Sequence, residues 1–266
     1  MFNANSGSGP PRWPAAPSNR DRRWERLLAL FFPPTCILCG APAREPHQAE
    51  LASPQGGGGR DLCAGCAAEL PSTLWSCAQC AIPLDHPVSP GGRCGTCQQH
   101  PPPFDLSLAA FRYEGPVASL VVDAKFRGRL NVVRLLGQCL AERILAVDPP
   151  RPEVLLPVPL HAARLRGRGY NQALEIARVV ARRLDLPLAV NACRRLTATP
   201  PQAGLDERAR RRNIRGAFRV EGAVPWSHVA ILDDVMTTGS TVAELSRVLR
   251  RAGVRRIQIW AVARTP

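Results

Sequence analysis

The stretch VAILDDVMTTGSTVAEL, Val229 to Leu245, changes character in its middle. An apolar run ends in two adjacent aspartates, Asp233 and Asp234. Small hydroxyl residues and a glycine follow (Thr237, Thr238, Gly239, Ser240 and Thr241), and a helical pattern then takes over. Such a run predicts a buried strand that surfaces at the acids, a turn over Met236 to Thr241, and a helix beginning near Ser240. A turn into a helix N-terminus presents backbone N–H groups and the positive end of the helix dipole, which together favour a phosphate. Gly239 lets the backbone approach closely, and the hydroxyls add donors. The two carboxylates only accept hydrogen bonds and repel a phosphate, so they suit a pair of sugar hydroxyls instead. The stretch reads as a cradle for ribose 5-phosphate. A plain acidic cap on a core strand explains one acid and one Thr or Ser, but not two acids followed by T-T-G-S-T. It is not a P-loop, because no G-x-x-x-x-G-K-[ST] occurs.

Working outward, the same alternation recurs. LSLAAFRY, EVLLPVP, LPLAV, HVAILDDV and RIQIWAVA read as strands. GPVASLVVDAKFRG, LNVVRLLGQCLAERIL, NQALEIARVVARRL and STVAELSRVLRRAG read as helices, the last closed by Gly253. Alternation of this kind predicts an α/β fold, a mostly parallel sheet flanked by helices, with ligands at the carboxyl ends of its strands.

The N-terminal part differs. Residues 1–21 lack periodicity and predict a disordered tail. Residues 22–100 combine an amphipathic lead-in, Arg22 to Phe31, with a cysteine-rich module, and the proline-stiffened QQHPPPFD marks the boundary to an α/β domain over 101–266. Eight of the 10 cysteines form Cys-x-x-Cys pairs: Cys36/Cys39, Cys63/Cys66, Cys77/Cys80 and Cys94/Cys97. Each spacing aims two sulfurs at one ion, and two such turns complete a tetrahedral four-thiolate zinc site. Two structural Zn²⁺ sites follow, most simply from consecutive pairs, with interleaved pairing left open. Iron–sulfur clusters show less regular pairing, and no export signal favours disulfides. His47, His86 and His100 read as loop residues, and the isolated Cys139 and Cys193 as buried ones.

The chain has 266 residues, a formal charge of +14 and 5% aromatic residues. Such a balance draws a protein to polyanions. The charge is almost all arginine, Lys125 being the sole lysine; that lysine reads equally as a solvated helix residue or as a phosphate contact. Pro159, Leu160 and His161 lead into a loop where Arg164, Arg166 and Arg168 offer forked donors to a polyanion. A second basic concentration, with Arg208 and Arg212, reads as an enzyme lid, a nucleic-acid track or a solvated face. Aromatic residues for a single-strand stacking platform are not interleaved with it. No apolar stretch approaches the ~18 residues of a membrane helix, so a cytoplasmic protein without membrane insertion is expected.

FFPPTCILCG, AKFRG, PVPLHAARLRGRGYNQA, PPQAGLDERARRRNIRGAF and ILDDVMTTGST together resemble the competence protein ComF family. ILDDVMTTGST by itself looks like the phosphoribosyl pyrophosphate (PRPP) motif of type I phosphoribosyltransferases. The likeness runs from about Trp24 onward. It implies a double zinc ribbon joined to a type I phosphoribosyltransferase-like domain. By that resemblance Asp233 and Asp234 contact the ribose hydroxyls, residues 237–241 hold the 5-phosphate, residues 159–168 face the pyrophosphate, and Mg²⁺ accompanies PRPP. It further implies a role in uptake of single-stranded DNA. The alternatives are a Mg-dependent phosphoribosyltransferase acting on an unidentified acceptor outside DNA uptake, and a PRPP sensor without turnover.

Overall fold

The computed structural model of the chain describes residues 35–43, 61–73, 75–89, 91–198 and 214–266. It divides into two compact units, 1–63 and 64–266. In the larger unit, strands β1 (Leu106–Arg112), β2 (Val154–Pro157), β5 (His228–Met236) and β6 (Arg256–Arg264) form one sheet in the order β1-β6-β5-β2. All three pairings are parallel. A parallel sheet covered on both faces needs continuous apolar strands. Val229 to Leu232 and Ile257 to Ala263, the latter polar only at Gln258, meet that need, each buried throughout.

Helices α1 (Ala64–Ala68) and α2 (Gly95–Gln99) belong to the cysteine-rich part. The sheet is accompanied by α3 (Gly115–Phe126), α4 (Leu130–Val147), α5 (Ala162–Arg168), α6 (Gln172–Leu184) and α7 (Ser240–Arg251). The α4 and α6 helices meet at Gly137, where an added Cβ would lie 2.7 Å from Val179 Cβ and 3.3 Å from the Ile176 carbonyl oxygen. A methyl group there has nowhere to go. Gly137→Ala is expected to destabilise the fold by about 1–3 kcal/mol, the usual cost of overpacking, despite alanine's better helix propensity. Urea unfolding checks it: an unchanged midpoint would mean that the two helices separate easily.

Three features differ from the sequence reading. LPLAV contributes a single bridge, Leu188 to Leu155, because Pro187 within it has no amide to donate and Asp185, in a left-handed conformation, ends α6 immediately before it. A short antiparallel ribbon, β3 (Cys193–Arg195) with β4 (Phe218–Val220), is absent from that reading. Residues 162–168 are helical rather than a loop. His161 caps that helix, Nδ1 accepting from the Ala163 amide at 3.2 Å, and Gly169 ends it at φ 81°. The expected lead-in helix over 22–31 lies outside the described residues.

The segment before β1 is docked onto the sheet. Phe104 is buried, and the Asp105 carboxylate takes an ion pair from Arg250 at 2.7 Å and the Ile257 amide at 2.7 Å. The outer side of edge strand β1 is covered by Pro71, Ser72, Thr73, Ala78 and Gln79. Thr73 Oγ1 donates to the Ala109 carbonyl at 2.8 Å, and the amide and hydroxyl of Ser107 donate to the carbonyls of Ala78 and Gln79 at 3.0 and 2.6 Å.

Candidate phosphate-binding site and zinc centres

Strand β5 carries Asp233 and Asp234 to the carboxyl end of the sheet, as its apolar run requires. Beyond it the chain turns through Thr237 and Thr238 to Gly239, whose φ of 72° is left-handed, and enters α7 at Ser240. Such a φ strains any residue with a Cβ. Thr238 Oγ1 donates to Ser240 Oγ at 3.0 Å, drawing the turn closed. Asp233, Met236, Thr237, Gly239, Ser240 and Thr241 line a small concavity at this turn. The five expected hydroxyl-loop residues are therefore together at one strand end.

The two acids differ in their surroundings. Asp234 receives Lys125 Nζ at 2.9 Å on one oxygen and the Val235 amide at 2.7 Å on the other. Asp233 Oδ1 accepts the Asp234 amide at 2.9 Å. Burial pushes the Asp233 carboxyl up to about 7, with the neighbouring Asp234 charge adding to the rise and Lys125 opposing it. Lys125, the lysine read two ways in the sequence, thus sits on an acid rather than in solvent.

The basic residues expected near pyrophosphate fall on α5. Pro159 and Leu160 follow the end of β2, where the Val158 amide donates to the Leu232 carbonyl at 2.9 Å and Asn171 Nδ2 donates to the Val158 carbonyl at 3.0 Å. That places the start of α5 beside the acids' strand. Arg164 and Arg168 are four residues apart, close enough for Arg168 to depress the Arg164 pKa further after burial has lowered it. Arg168 lies over the Phe126 ring at 5.2 Å and donates to Gln172 Oε1 at 3.2 Å. Arg166 lies in the last turn of the same helix. His161 is the cap described above, a backbone-holding role.

Sequence reasoning missed Arg195. It is buried on β3, stacked over Phe218 at 5.5 Å, and its pKa is lowered by burial and by Arg164 while Asp233 supports its charge. The three residues from Cys193 to Arg195 are too few for a strand pattern in the sequence to mark it. Arg208 and Arg212 lie outside the described residues.

The cysteines gather into two clusters, Cys36/Cys39/Cys63/Cys66 and Cys77/Cys80/Cys94/Cys97, the sulfurs of each lying within 4.8 Å of one another. This is the consecutive pairing, not the interleaved one. A tetrahedral ion with sulfur at about 2.3 Å requires sulfur–sulfur edges of about 3.8 Å. Cys39 and Cys63 stand 3.7 Å apart, and Cys80 and Cys94 3.8 Å. Both knuckles repeat one design: Gly40 N donates to the Cys36 carbonyl at 2.9 Å, and Ala81 N to the Cys77 carbonyl at 2.8 Å. The Cys94 amide also donates to Cys77 Sγ at 3.2 Å, a bond that favours thiolate. The donor set fits two structural zinc ions. Cys139 and Cys193 are buried, and burial pushes the Cys193 thiol up to about 12.

A family model described as a double zinc ribbon domain matches residues 27–98. The chain is 36% identical to competence protein F of Haemophilus influenzae, covering 76% of this chain and 90% of that one. It is 33% identical to DNA utilization protein YhgH of Salmonella typhi over 240 residues, 89% of this chain and 99% of that one. The chain belongs to the competence protein F family. Within that family the cysteine clusters are the double zinc ribbon, and the acidic strand end lies in the sheet domain that follows it. Among solved structures, a purine phosphoribosyltransferase from Pyrococcus horikoshii aligns with 48% of this chain and 70% of that one, at 19% identity and a TM-score of 0.30. The protein TT1426 from Thermus thermophilus aligns with 50% of this chain and 83% of that one, at 22% identity and a TM-score of 0.30. Among the described residues, no helix is long and apolar enough to cross a membrane.

Proposed function

We propose that the chain binds PRPP with Mg²⁺ at the carboxyl end of β5 and serves the uptake or use of single-stranded DNA. The observation that carries the first part is the juxtaposition of the Asp233–Asp234 pair with the left-handed turn at Gly239 and the start of α7. The turn suits the 5-phosphate, and the carboxylates suit the ribose hydroxyls. Arg164 and Arg168, with Arg195 buried nearby, suit the pyrophosphate. Mg²⁺ would be held largely by substrate oxygens and water, with the acid pair completing its surroundings, and would offset charge on the pyrophosphate. The DNA part rests on the names of the relatives and on the +14 charge.

Among the described residues, His161 is engaged in capping and no other histidine is placed at the strand end as a base for an acceptor. The test is calorimetric titration of PRPP with Mg²⁺ into the zinc-loaded chain, with release of pyrophosphate followed in parallel and single-stranded DNA affinity measured with and without the ligand. In Gly239→Val the turn is strained by about 1–3 kcal/mol, and binding is expected to weaken at least tenfold. A folded wild-type chain that binds no PRPP would overturn the proposal. A DNA affinity unmoved by PRPP would separate its two halves.

A further inference from the structure

Arg264, at the end of β6, is a buried arginine to which nothing above assigns a role. Its side chain spans two places. Nε donates to the Cys80 carbonyl at 3.1 Å, on the second zinc knuckle. Nη1 donates to the carbonyls of Met236, at 3.2 Å, and Thr237, the first two residues of the phosphate turn. The same nitrogen reaches the Thr265 carbonyl at 2.6 Å, and the Thr265 amide returns to the Met236 carbonyl at 3.1 Å. One guanidinium thus links a zinc ligand's backbone to the turn.

Two physical consequences follow. A trans peptide is planar, so its C=O and N–H point in opposite directions. Drawing the Met236 and Thr237 carbonyls towards Arg264 turns the Thr237 and Thr238 amides to the opposite side, where an anion can use them. A zinc ion held by four thiolates is a dianionic centre, and it would balance the buried Arg264 cation, which is hydrogen-bonded to the carbonyl of the ligand Cys80. We infer that Arg264 is a positioning residue through which zinc in the Cys77/Cys80/Cys94/Cys97 cluster sets the shape of the phosphate turn.

The coupling itself needs no ligand; its value for binding rests on the PRPP reading. Coupling between two sites is reciprocal, so a ligand on the turn must also tighten that zinc. The experiment compares amide hydrogen exchange in the zinc-loaded chain, after chelation, in Cys39→Ser, which disables the first cluster alone, and in Arg264→Met. On loss of the second zinc, the Thr265 amide, which donates to the Met236 carbonyl, and the Ala243 amide, which donates to the Gly239 carbonyl, are expected to exchange at least tenfold faster relative to β2 amides of the same unit. Cys39→Ser leaves that ratio unchanged. Arg264→Met raises it in the zinc-loaded chain and makes it insensitive to chelation. Acceleration of turn and β2 alike, or no change at the turn, would overturn the coupling, and chelation of the wild type decides this even where Arg264→Met does not fold. Absence of PRPP binding would refute the proposed function and leave the exchange result standing. PRPP binding of equal strength with and without the second zinc would refute the coupling alone.

Discussion

The double substitution Asp233→Asn, Asp234→Asn is expected to weaken PRPP binding at least a hundredfold while making the protein more stable above neutral pH. Both effects come from the same crowding of charge. The Asp233 carboxyl, ordinarily near 3.8, is pushed up to about 7 by burial and by Asp234, with Lys125 opposing and Arg195 the other cation felt there. The folded state therefore keeps a proton that the unfolded chain releases. Stability falls as pH rises from about 4 to about 7, and the loss is complete above that. After allowance for the partial exposure and coupling of the pair, the cost is about 2 kcal/mol. Two neutral amides remove it. Thermal unfolding should show the variant gaining several degrees relative to the wild type between pH 4 and pH 8. Affinity runs the opposite way in the wild type, improving between pH 6 and pH 8 as Asp233 becomes a full acceptor. A variant with unchanged PRPP affinity would place the sugar elsewhere.

Cys77→Ser is expected to reduce bound zinc from two ions to one and to cost at least several kcal/mol. Structural zinc contributes directly to folding, since the ligands do not converge in the unfolded chain. Here the loss extends into the sheet domain, because the knuckle residues Ala78 and Gln79 cover the edge of β1 through Ser107. An uncovered edge strand is a template for pairing with another chain. Metal analysis together with light scattering checks this: a variant with one zinc and no tendency to associate would show that the ribbon is dispensable to the edge. The corresponding change at Cys36 leaves that edge covered and should not provoke association.

The strands that define the sheet were legible because a parallel sheet buried on both faces requires largely apolar runs, and VAIL and, apart from Arg256 and Gln258, RIQIWAVA are such runs. The hydroxyl turn was legible for a related reason: few structural roles use two acids and T-T-G-S-T together. The metal ligands followed from the Cys-x-x-Cys spacing, which made consecutive pairing the simplest arrangement without excluding the interleaved one. What escaped was either weakly patterned or distant in sequence. Strands β3 and β4 are three residues each, too short for alternation to stand out. Helix α5 contains Gly167 and three arginines, so its composition resembles a loop, whereas its existence depends on the His161 cap and the Gly169 stop. The Lys125–Asp234 pair and the Arg264–Cys80 link join residues more than 100 apart in sequence, from a helix and a zinc knuckle to strand ends, and tertiary packing alone brings them together.

Lys125 carries the only lysine amine in the chain, and that amine lies 2.9 Å from Asp234. An acylating reagent therefore finds a single lysine target, beside the Asp233–Asp234 pair. The ion pair holds the amine against the carboxylate, with only 22% of the side chain exposed to a reagent. Labelling at this residue should quicken in Asp234→Asn and change again when the pocket fills. The protein thus contains its own chemical reporter of occupancy, which requires no engineered tag. The same chemistry in a cell, acetylation of one amine, would remove the only lysine charge and leave Asp234 without its ion-pair partner.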